Sequence, residues 1–150
     1  MGADDIKRLL GLEPLPVEGG WFVETHRSQT ATAIYYLLTP ETSSAMHRLD
    51  SDEVYHFYLG DPVTMLLLGP GKSAVTLALG TDIASGLRPQ VIVPAGTWQG
   101  SLLADGGRFA LLGTTMAPGF DARGLEMGER AALEEAFPEH RDLVERLTRP

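Results

Sequence analysis

Residues 46–71 have the sequence MHRLDSDEVYHFYLGDPVTMLLLGPG and contain two short runs of β-branched, aromatic and aliphatic residues. The first run ends at Gly60-Asp61-Pro62 and the second at Gly69-Pro70-Gly71, and clusters of glycine and proline mark turns. Apolar runs of about 4 to 8 residues between turn residues are typical of β-strands. This segment therefore predicts two strands joined by a tight turn.

The same succession of short apolar runs and turns continues in both directions, from about residue 20 to residue 116. No stretch between the runs is long enough for regular crossover helices, so a parallel sheet is disfavoured. We predict an all-β fold, an antiparallel sandwich or barrel. The predicted strands are 21–27, 31–38, 53–59, 63–68, 75–79, 90–93 and 109–115.

Short helices are predicted at both ends of the chain. An amphipathic segment at 4–10 precedes Gly11, a residue typical of helix C-caps. The tail from Asp121 carries eight acidic residues and five arginines with apolar residues at helical spacing, and Pro138 suits the first turn of a second helix. We interpret the tail as a charged helical flap on the β core. The length suits a single domain over 1–150, with the N-terminal helix at 1–11, the β-barrel at 20–116 and the helical tail at 121–150.

The composition excludes several classes of function. The chain has no cysteine, which excludes disulfide scaffolds, thiolate metal sites and cysteine nucleophiles. Its net charge of −8 argues against binding to the phosphate backbone of nucleic acids. No apolar run approaches the roughly 20 residues of a membrane helix, and the acidic start lacks the pattern of a signal peptide. We expect a cytoplasmic protein with no nucleic-acid or membrane partner.

The densest group of reactive side chains lies within residues 46–60, which hold two of the four histidines and three carboxylates. Alternate residues of a strand face the same side, so Glu53, Tyr55 and Phe57 are predicted to face the barrel interior, and His56 the outside. Glu53 lies between apolar residues, where a carboxylate is costly without a partner.

A second informative segment, residues 90–100, has the sequence QVIVPAGTWQG. A proline–glycine turn interrupts its strand, which then resumes. Strand alternation places Thr97 and Gln99 on one face and Trp98 on the other.

Both segments resemble motifs of the cupin superfamily. His47, Glu53 and Gly60 match the first cupin motif, HxHx(3,4)Ex(6)G, and residues 94–99 match the second, PxGxxH, with Gln99 in place of its histidine. The chain is identified as a member of this superfamily (RmlC-like), in the short single-domain branch long filed as a domain of unknown function. Further segments that resemble this branch are 18–25, 33–38, 51–60 and 117–121.

The resemblance implies a double-stranded β-helix, the cupin jelly-roll barrel, with a pocket in the barrel mouth. It also implies a homodimer and a small-molecule ligand, with a sugar or a nucleotide-sugar as the suggested class. Because this fold carries many unrelated activities, the fold follows from the resemblance and the activity does not.

A metal-binding cupin of the usual kind offers three histidines and one glutamate. The matching positions here hold His47, Leu49, Glu53 and Gln99. One imidazole, one carboxylate and an amide make a poor site for a transition metal, so no cofactor is expected. A weakly bound divalent cation held by His47, Glu53 and Gln99 stays open as an alternative.

An epimerase-like or isomerase-like enzyme needs no metal. His47 with Glu53 or Asp52 supplies a base and its orienting carboxylate, and Tyr55 is a candidate acid. Three classes of function stay open: such an enzyme, a non-catalytic ligand-binding or sensor cupin, and a metal-dependent enzyme with a degenerate site. Tyr35 and Tyr36 are alternative acids, Arg27 and Arg88 are candidate anion clamps, and the candidate ligand-binding residues are Arg48, Phe57, Trp98, Gln99, Glu24 and His56.

Overall fold

Eleven strands form two antiparallel sheets in the computed structural model, which describes residues 1–150. The strands are β1 (Glu13–Pro14), β2 (Trp21–Arg27), β3 (Thr32–Leu38), β4 (Ser43–Arg48), β5 (Glu53–Gly60), β6 (Val63–Leu68), β7 (Ala74–Leu79), β8 (Gln90–Val93), β9 (Trp98–Leu103), β10 (Ala110–Met116) and β11 (Glu126–Met127). The helices are α1 (Ala3–Leu10), α2 (Arg130–Ala136) and α3 (Arg141–Arg146).

The strand order is that of a jelly roll. One sheet runs β1-β2-β3-β10-β5-β8 and the other β11-β4-β9-β6-β7, so β10 pairs with both β3 and β5, and β9 with both β4 and β6. The predicted all-β fold, a double-stranded β-helix with short terminal helices, is confirmed. Gly60 ends β5 with a φ of 104°, which favours glycine, so the glycine of the first motif serves the turn to β6.

The barrel interior is lined by alternate residues of the strands. Glu53, Tyr55 and Phe57 of β5 are buried, whereas Val54 and His56 between them are only half-buried, which confirms the predicted interior face. Side chains from both sheets meet in one apolar core that includes Tyr36, Leu38, Tyr55, Phe57, Val63, Met65, Leu79, Leu103 and Leu112.

The predicted strands β2, β6 and β8 coincide with the observed ones, β3, β5 and β7 differ by one residue at one end, and β10 is shifted by one residue at both ends. The pattern did not predict β4. Residues 44–47 are all buried and do not alternate, because β4 contains a β-bulge. Ser44 pairs with Ser101 and His47 with Gln99, so three steps on β4 match two on β9.

The charged tail forms α2 and α3, which cover the outer face of the five-stranded sheet rather than the barrel mouth. Their buried residues Leu133, Val144 and Leu147 pack against Met46 and Leu66. Helix α1 covers one end of the outer face of the other sheet. None of the helices has the length and apolar character needed to span a membrane.

Candidate functional site

A group of polar side chains lies inside the barrel among apolar ones. β4 provides His47, β5 provides Glu53 and Tyr55, and β9 provides Gln99, and each of the four is at most 7% exposed. Because a buried polar group is costly without a hydrogen-bond partner, their contacts with one another determine what they can do. The structure therefore brings together the three predicted catalytic residues and one predicted ligand-binding residue.

Gln99 bridges the tyrosine and the glutamate of β5. The Tyr55 hydroxyl donates a hydrogen bond to Gln99 Oε1 over 2.7 Å, and Gln99 Nε2 donates to Glu53 Oε1 over 3.0 Å. The amide orientation follows, because only the NH₂ group can donate to a carboxylate. Burial and the nearby negative charge of Glu53 raise the pKa of Tyr55 well above its ordinary value. Tyr55 therefore holds Gln99 in place, and its proton is already engaged.

The bulge in β4 sets His47 opposite Glu18, which lies in the loop before β2. The carbonyl oxygen of Ala45 lies 2.6 Å from His47 Nδ1, and the Ala45 N–H donates to the Glu18 carbonyl oxygen over 2.8 Å. Since a carbonyl oxygen only accepts, Nδ1 carries a proton, and the neutral ring keeps its lone pair on Nε2. Nε2 lies 3.8 Å from Glu18 Oε2, too far for a hydrogen bond.

Glu18 belongs to this polar group, although the sequence analysis does not single it out. It lies within segment 18–25, which resembles the family, but strand alternation assigns no direction to a loop residue. Its side chain is 14% exposed, and it is the carboxylate within ion-pair distance of His47, in place of the expected Glu53. The adjacent Gly19 and Gly20, both with positive φ, were the available sign of a tight turn at this point.

A small cavity of about 60 Å³, called here the barrel cavity, opens beside these residues. Glu18 and Glu53 line it, whereas His47, Tyr55 and Gln99 are not part of its lining. Glu24 lies at its rim, where Arg27 binds both carboxylate oxygens over 2.7 and 2.9 Å. The complete lining is Leu15, Glu18, Phe22, Glu24, Thr32, Ile34, Leu49, Glu53, Thr114, Met116 and Phe120.

The sequence matches a family model over most of its length. The model described as "Cupin superfamily (DUF985)" matches residues 4–128. The chain belongs to the cupin superfamily. This cupin superposes on two solved structures over 100% of its length, both with a TM-score of 0.92. Protein SO0799 from Shewanella oneidensis is 36% identical and covered over 99% of its chain, and a hypothetical protein from Leishmania major is 29% identical and covered over 100%.

A curated relative is the uncharacterized protein YML079W of Saccharomyces cerevisiae, which is 26% identical to this cupin. The match covers 69% of this chain and 64% of the yeast protein. The chain therefore spans a little under two thirds of the length of that relative.

The residues of this cupin do not fit the metal that many cupins hold. No three histidine, aspartate or glutamate side chains are grouped so that they could bind a metal ion. Leu49 stands in the barrel-cavity lining at a position where the family motif has a histidine. The oxygen of Gln99 already accepts from Tyr55, and its NH₂ group cannot bind a cation. The alternative site of His47, Glu53 and Gln99 therefore lacks a free third ligand.

Four predicted ligand-binding residues lie away from the barrel cavity. Arg48 makes an ion pair with Glu126 over 2.7 Å, and its guanidinium lies 4.5 Å from the centre of the Trp98 ring. His56 faces outward, as predicted, with Nε2 3.2 Å from Thr115 Oγ1. Phe57 is part of the apolar core. None of the four is in the cavity lining, whereas Glu24 is.

The two arginines predicted to bind an anion also make contacts outside the barrel cavity. Arg27 holds Glu24 and donates to the carbonyl oxygen of Phe120. Arg88 donates to the carbonyl oxygens of Ile83 and Leu87. Neither arginine lines the barrel cavity. Of the alternative acids, Tyr36 is buried and donates to the Gly19 carbonyl oxygen over 2.6 Å, and Tyr35 belongs to the outer face.

The stability of the wild type relative to Glu18→Gln is expected to fall as the pH rises above 4.5. Burial raises the pKa of Glu18 above its ordinary 4.5, and the negative charge of Glu53 adds to this, whereas a positive charge on His47, present only when the ring is protonated, would oppose it. The folded protein thus keeps this proton at pH values where the unfolded chain has lost it, so rising pH favours unfolding. Denaturation of both proteins between about pH 4 and pH 7 measures the effect. A difference that stays constant with pH would contradict it.

Proposed function

We propose that this cupin is an enzyme that moves a proton on a small polar molecule, in the manner of an epimerase or isomerase, with His47 as the general base. The observation that carries the proposal is the orientation of the imidazole. Ala45 takes the Nδ1 proton, and Nε2 has no hydrogen-bond partner although the side chain is only 2% exposed. Nε2 is therefore free to accept a proton, and it lies 3.8 Å from Oε2 of Glu18, a residue that lines the barrel cavity.

The surrounding groups support a complete proton cycle. Nε2 takes a proton from the substrate, and the imidazolium that forms is stabilised by the Glu18 carboxylate 3.8 Å away. Glu53, held by Gln99, lines the same cavity and orients the substrate. The proton returns to the substrate from the imidazolium, which restores the neutral His47. The product has the same composition as the substrate and differs only in the position or configuration at which the proton is bound.

The alternative is a binding cupin that holds a ligand without reacting with it. The barrel cavity favours a ligand of few atoms in either case, because its volume of about 60 Å³ is far below the roughly 300–1,000 Å³ of sites for drug-sized molecules. A nucleotide-sugar exceeds the cavity, so only a small part of such a molecule would enter it.

Solvent-hydrogen exchange distinguishes the enzyme from the binder. The protein is incubated in deuterated water with a panel of small polyols, hydroxy acids, amines and amino acids, and each compound is then analysed for carbon-bound deuterium. Exchange catalysed into at least one compound is expected. Compounds that bind, as shown by NMR titration, but take up no deuterium would refute the enzyme and favour the binding cupin.

We also propose that the expected homodimer forms through the outer face of the six-stranded sheet. Apart from His56, the outward positions at the centre of this face carry no acidic or basic residue, although each chain has a net charge of −8. Two copies repel each other least where they meet through an uncharged surface. Tyr58 and Ile92 are exposed there by 49% and 58%, and the Tyr58 ring lies flat over Gly113, where any side chain would collide with it.

Light scattering is expected to give about twice the chain mass of 16.2 kDa for the wild type. Ile92→Asp is expected to give the mass of one chain, because the substitution places a buried negative charge on both sides of the contact. Val75→Asp, at a residue 51% exposed on the edge strand of the other sheet, is the matched control and should stay dimeric. A wild type of 16.2 kDa would refute the dimer, and a dimeric Ile92→Asp would refute this face.

A further inference from the structure

We propose that the ligand of the barrel cavity is a small organic cation, a molecule whose reacting end carries a protonated amine or an amidinium group. Because this names the substrate class of the site described above, it rests on the proposed function. It also departs from the nucleotide-sugar that the resemblance suggested, whose phosphates are anionic.

The charges that face the barrel cavity are negative. Glu18, Glu24 and Glu53 line it, and no lysine or arginine does. Arg27 neutralises Glu24 at the rim with two short contacts, which leaves the carboxylates of Glu18 and Glu53 on the interior side. An anion would enter against both charges, whereas a cation would be attracted by them.

The hydrogen-bonding groups of the barrel cavity also favour a cationic ligand. The Glu18 carboxylate, which lines the cavity, accepts no hydrogen bond within the protein. His47 Nε2, 3.8 Å from Glu18 Oε2 but outside the lining, also has no hydrogen-bond partner. The donors nearby are used internally, since Tyr55 donates to Gln99 and Gln99 donates to Glu53. Apart from the hydroxyls of two threonines, the lining therefore offers acceptors only.

An ammonium or amidinium group is the complement of such a lining. It carries donors and no acceptor, and its positive charge strengthens each hydrogen bond to a carboxylate. The planar amidinium also presents two parallel N–H bonds, the geometry that a carboxylate accepts in pairs. A group of a few heavy atoms suits the volume of about 60 Å³. A polyol, which needs acceptors as well as donors in its site, matches this lining less well.

Three probes of one shape and different charge test the proposal. Acetamidinium, acetamide and acetate are planar and nearly isosteric, with charges of +1, 0 and −1. Each is titrated into the ¹⁵N-labelled wild-type protein at neutral pH and constant ionic strength, and the dissociation constant is read from shifts of the Glu18, His47 and Glu53 amides. Acetamidinium is expected to bind at least about tenfold more tightly than acetamide, and acetate not to bind.

Substitutions of single glutamates show which carboxylates produce the preference for the cation. Glu18→Gln and Glu53→Gln are each expected to weaken acetamidinium binding and to bring its affinity close to that of acetamide. Glu126→Gln is the matched control, since Glu126 pairs with Arg48 away from the barrel cavity and its removal should change nothing. Because the three probes are compared on the wild type, the charge preference is tested even if a variant fails to fold.

Several results would overturn the proposal. The proposal is overturned if acetamide binds as tightly as acetamidinium, if acetate binds the most tightly, or if no probe binds. It is also overturned if the amide shifts are confined to the charged tail at 121–150. The outcome is separate from that of the proposed function, since probe binding requires no turnover. A lost cation preference with persistent His47-dependent exchange refutes only the ligand class. A preserved preference with no exchange refutes only the enzyme.

Discussion

His47→Gln is expected to lower the rate of solvent-deuterium exchange into a turned-over substrate by about 100- to 10,000-fold, the usual contribution of a general base. Glutamine keeps an N–H donor for the Ala45 carbonyl oxygen but offers no nitrogen that can accept a proton at neutral pH. The loss should therefore appear in kcat, with a smaller change in substrate binding, and the exchange rate at saturating substrate measures it.

His26→Gln is the matched control for this experiment, because His26 is exposed on β2 and distant from the polar group in the barrel. It should keep the wild-type rate. Circular dichroism and the denaturation midpoint show whether His47→Gln is folded. A folded His47→Gln protein that exchanges deuterium at the wild-type rate would rule out His47 as the base.

Gln99→Leu is expected to reduce the free energy of unfolding by about 2–5 kcal/mol, the largest stability effect we expect from one substitution in the site. Gln99 is 1% exposed and is the only hydrogen-bond donor to Glu53 and the only acceptor for the Tyr55 hydroxyl. Leucine has a similar volume and leaves no large cavity. The cost therefore comes from a buried carboxylate and a buried hydroxyl that both lose their partner.

Two further variants show the origin of this cost by urea denaturation at neutral pH. Tyr55→Phe removes one neutral donor and should cost about 1 kcal/mol, well below the cost of Gln99→Leu. Gln29→Leu, in an exposed turn, should change stability by less than about 0.5 kcal/mol. If Gln99→Leu lowered the free energy of unfolding no more than Tyr55→Phe does, the hydrogen bond from Gln99 to Glu53 would not stabilise the fold.

Local patterns were sufficient for most of the strands and for the direction of their side chains. β2, β6 and β8 coincide with the predicted ranges, and the interior face of β5 was assigned correctly from alternation alone. The two-residue strands β1 and β11 were not predicted, and β9 was predicted only as the strand that resumes after the proline–glycine turn. β4 was not predicted because the bulge between Ser44 and His47 removes the alternation on which such predictions depend. A bulge is a mismatch between two strands, so one strand's sequence does not reveal it.

The motif positions predicted the residues of the buried polar group, but they did not define its contacts. The spacing of His47, Glu53 and Gln99 indicated one pocket, and the structure brings Glu53 and Gln99 into contact and pairs His47 with Gln99 across the strands. The motif did not show that the oxygen of Gln99 is bound by Tyr55, which turns a possible metal ligand into a bridge. Arg48 and Trp98 belong to the same motif segments, yet strand alternation carries them to the outside.

The sequence by itself determined the cupin fold, the interior face of β5 and most residues of the buried polar group, because hydrophobic alternation, turn residues and motif spacing are properties of neighbouring residues. Only the tertiary structure decided which carboxylate faces His47, which imidazole nitrogen is free and which charge the barrel cavity carries. The facing carboxylate and the charge of the cavity depend on Glu18 and Gln99, which contact residues far away in the chain. The free nitrogen depends on Ala45, which is only two residues from His47 but reaches Nδ1 through the backbone of the bulged strand. Neither a contact between distant segments nor a bulge is encoded in a local pattern of residues.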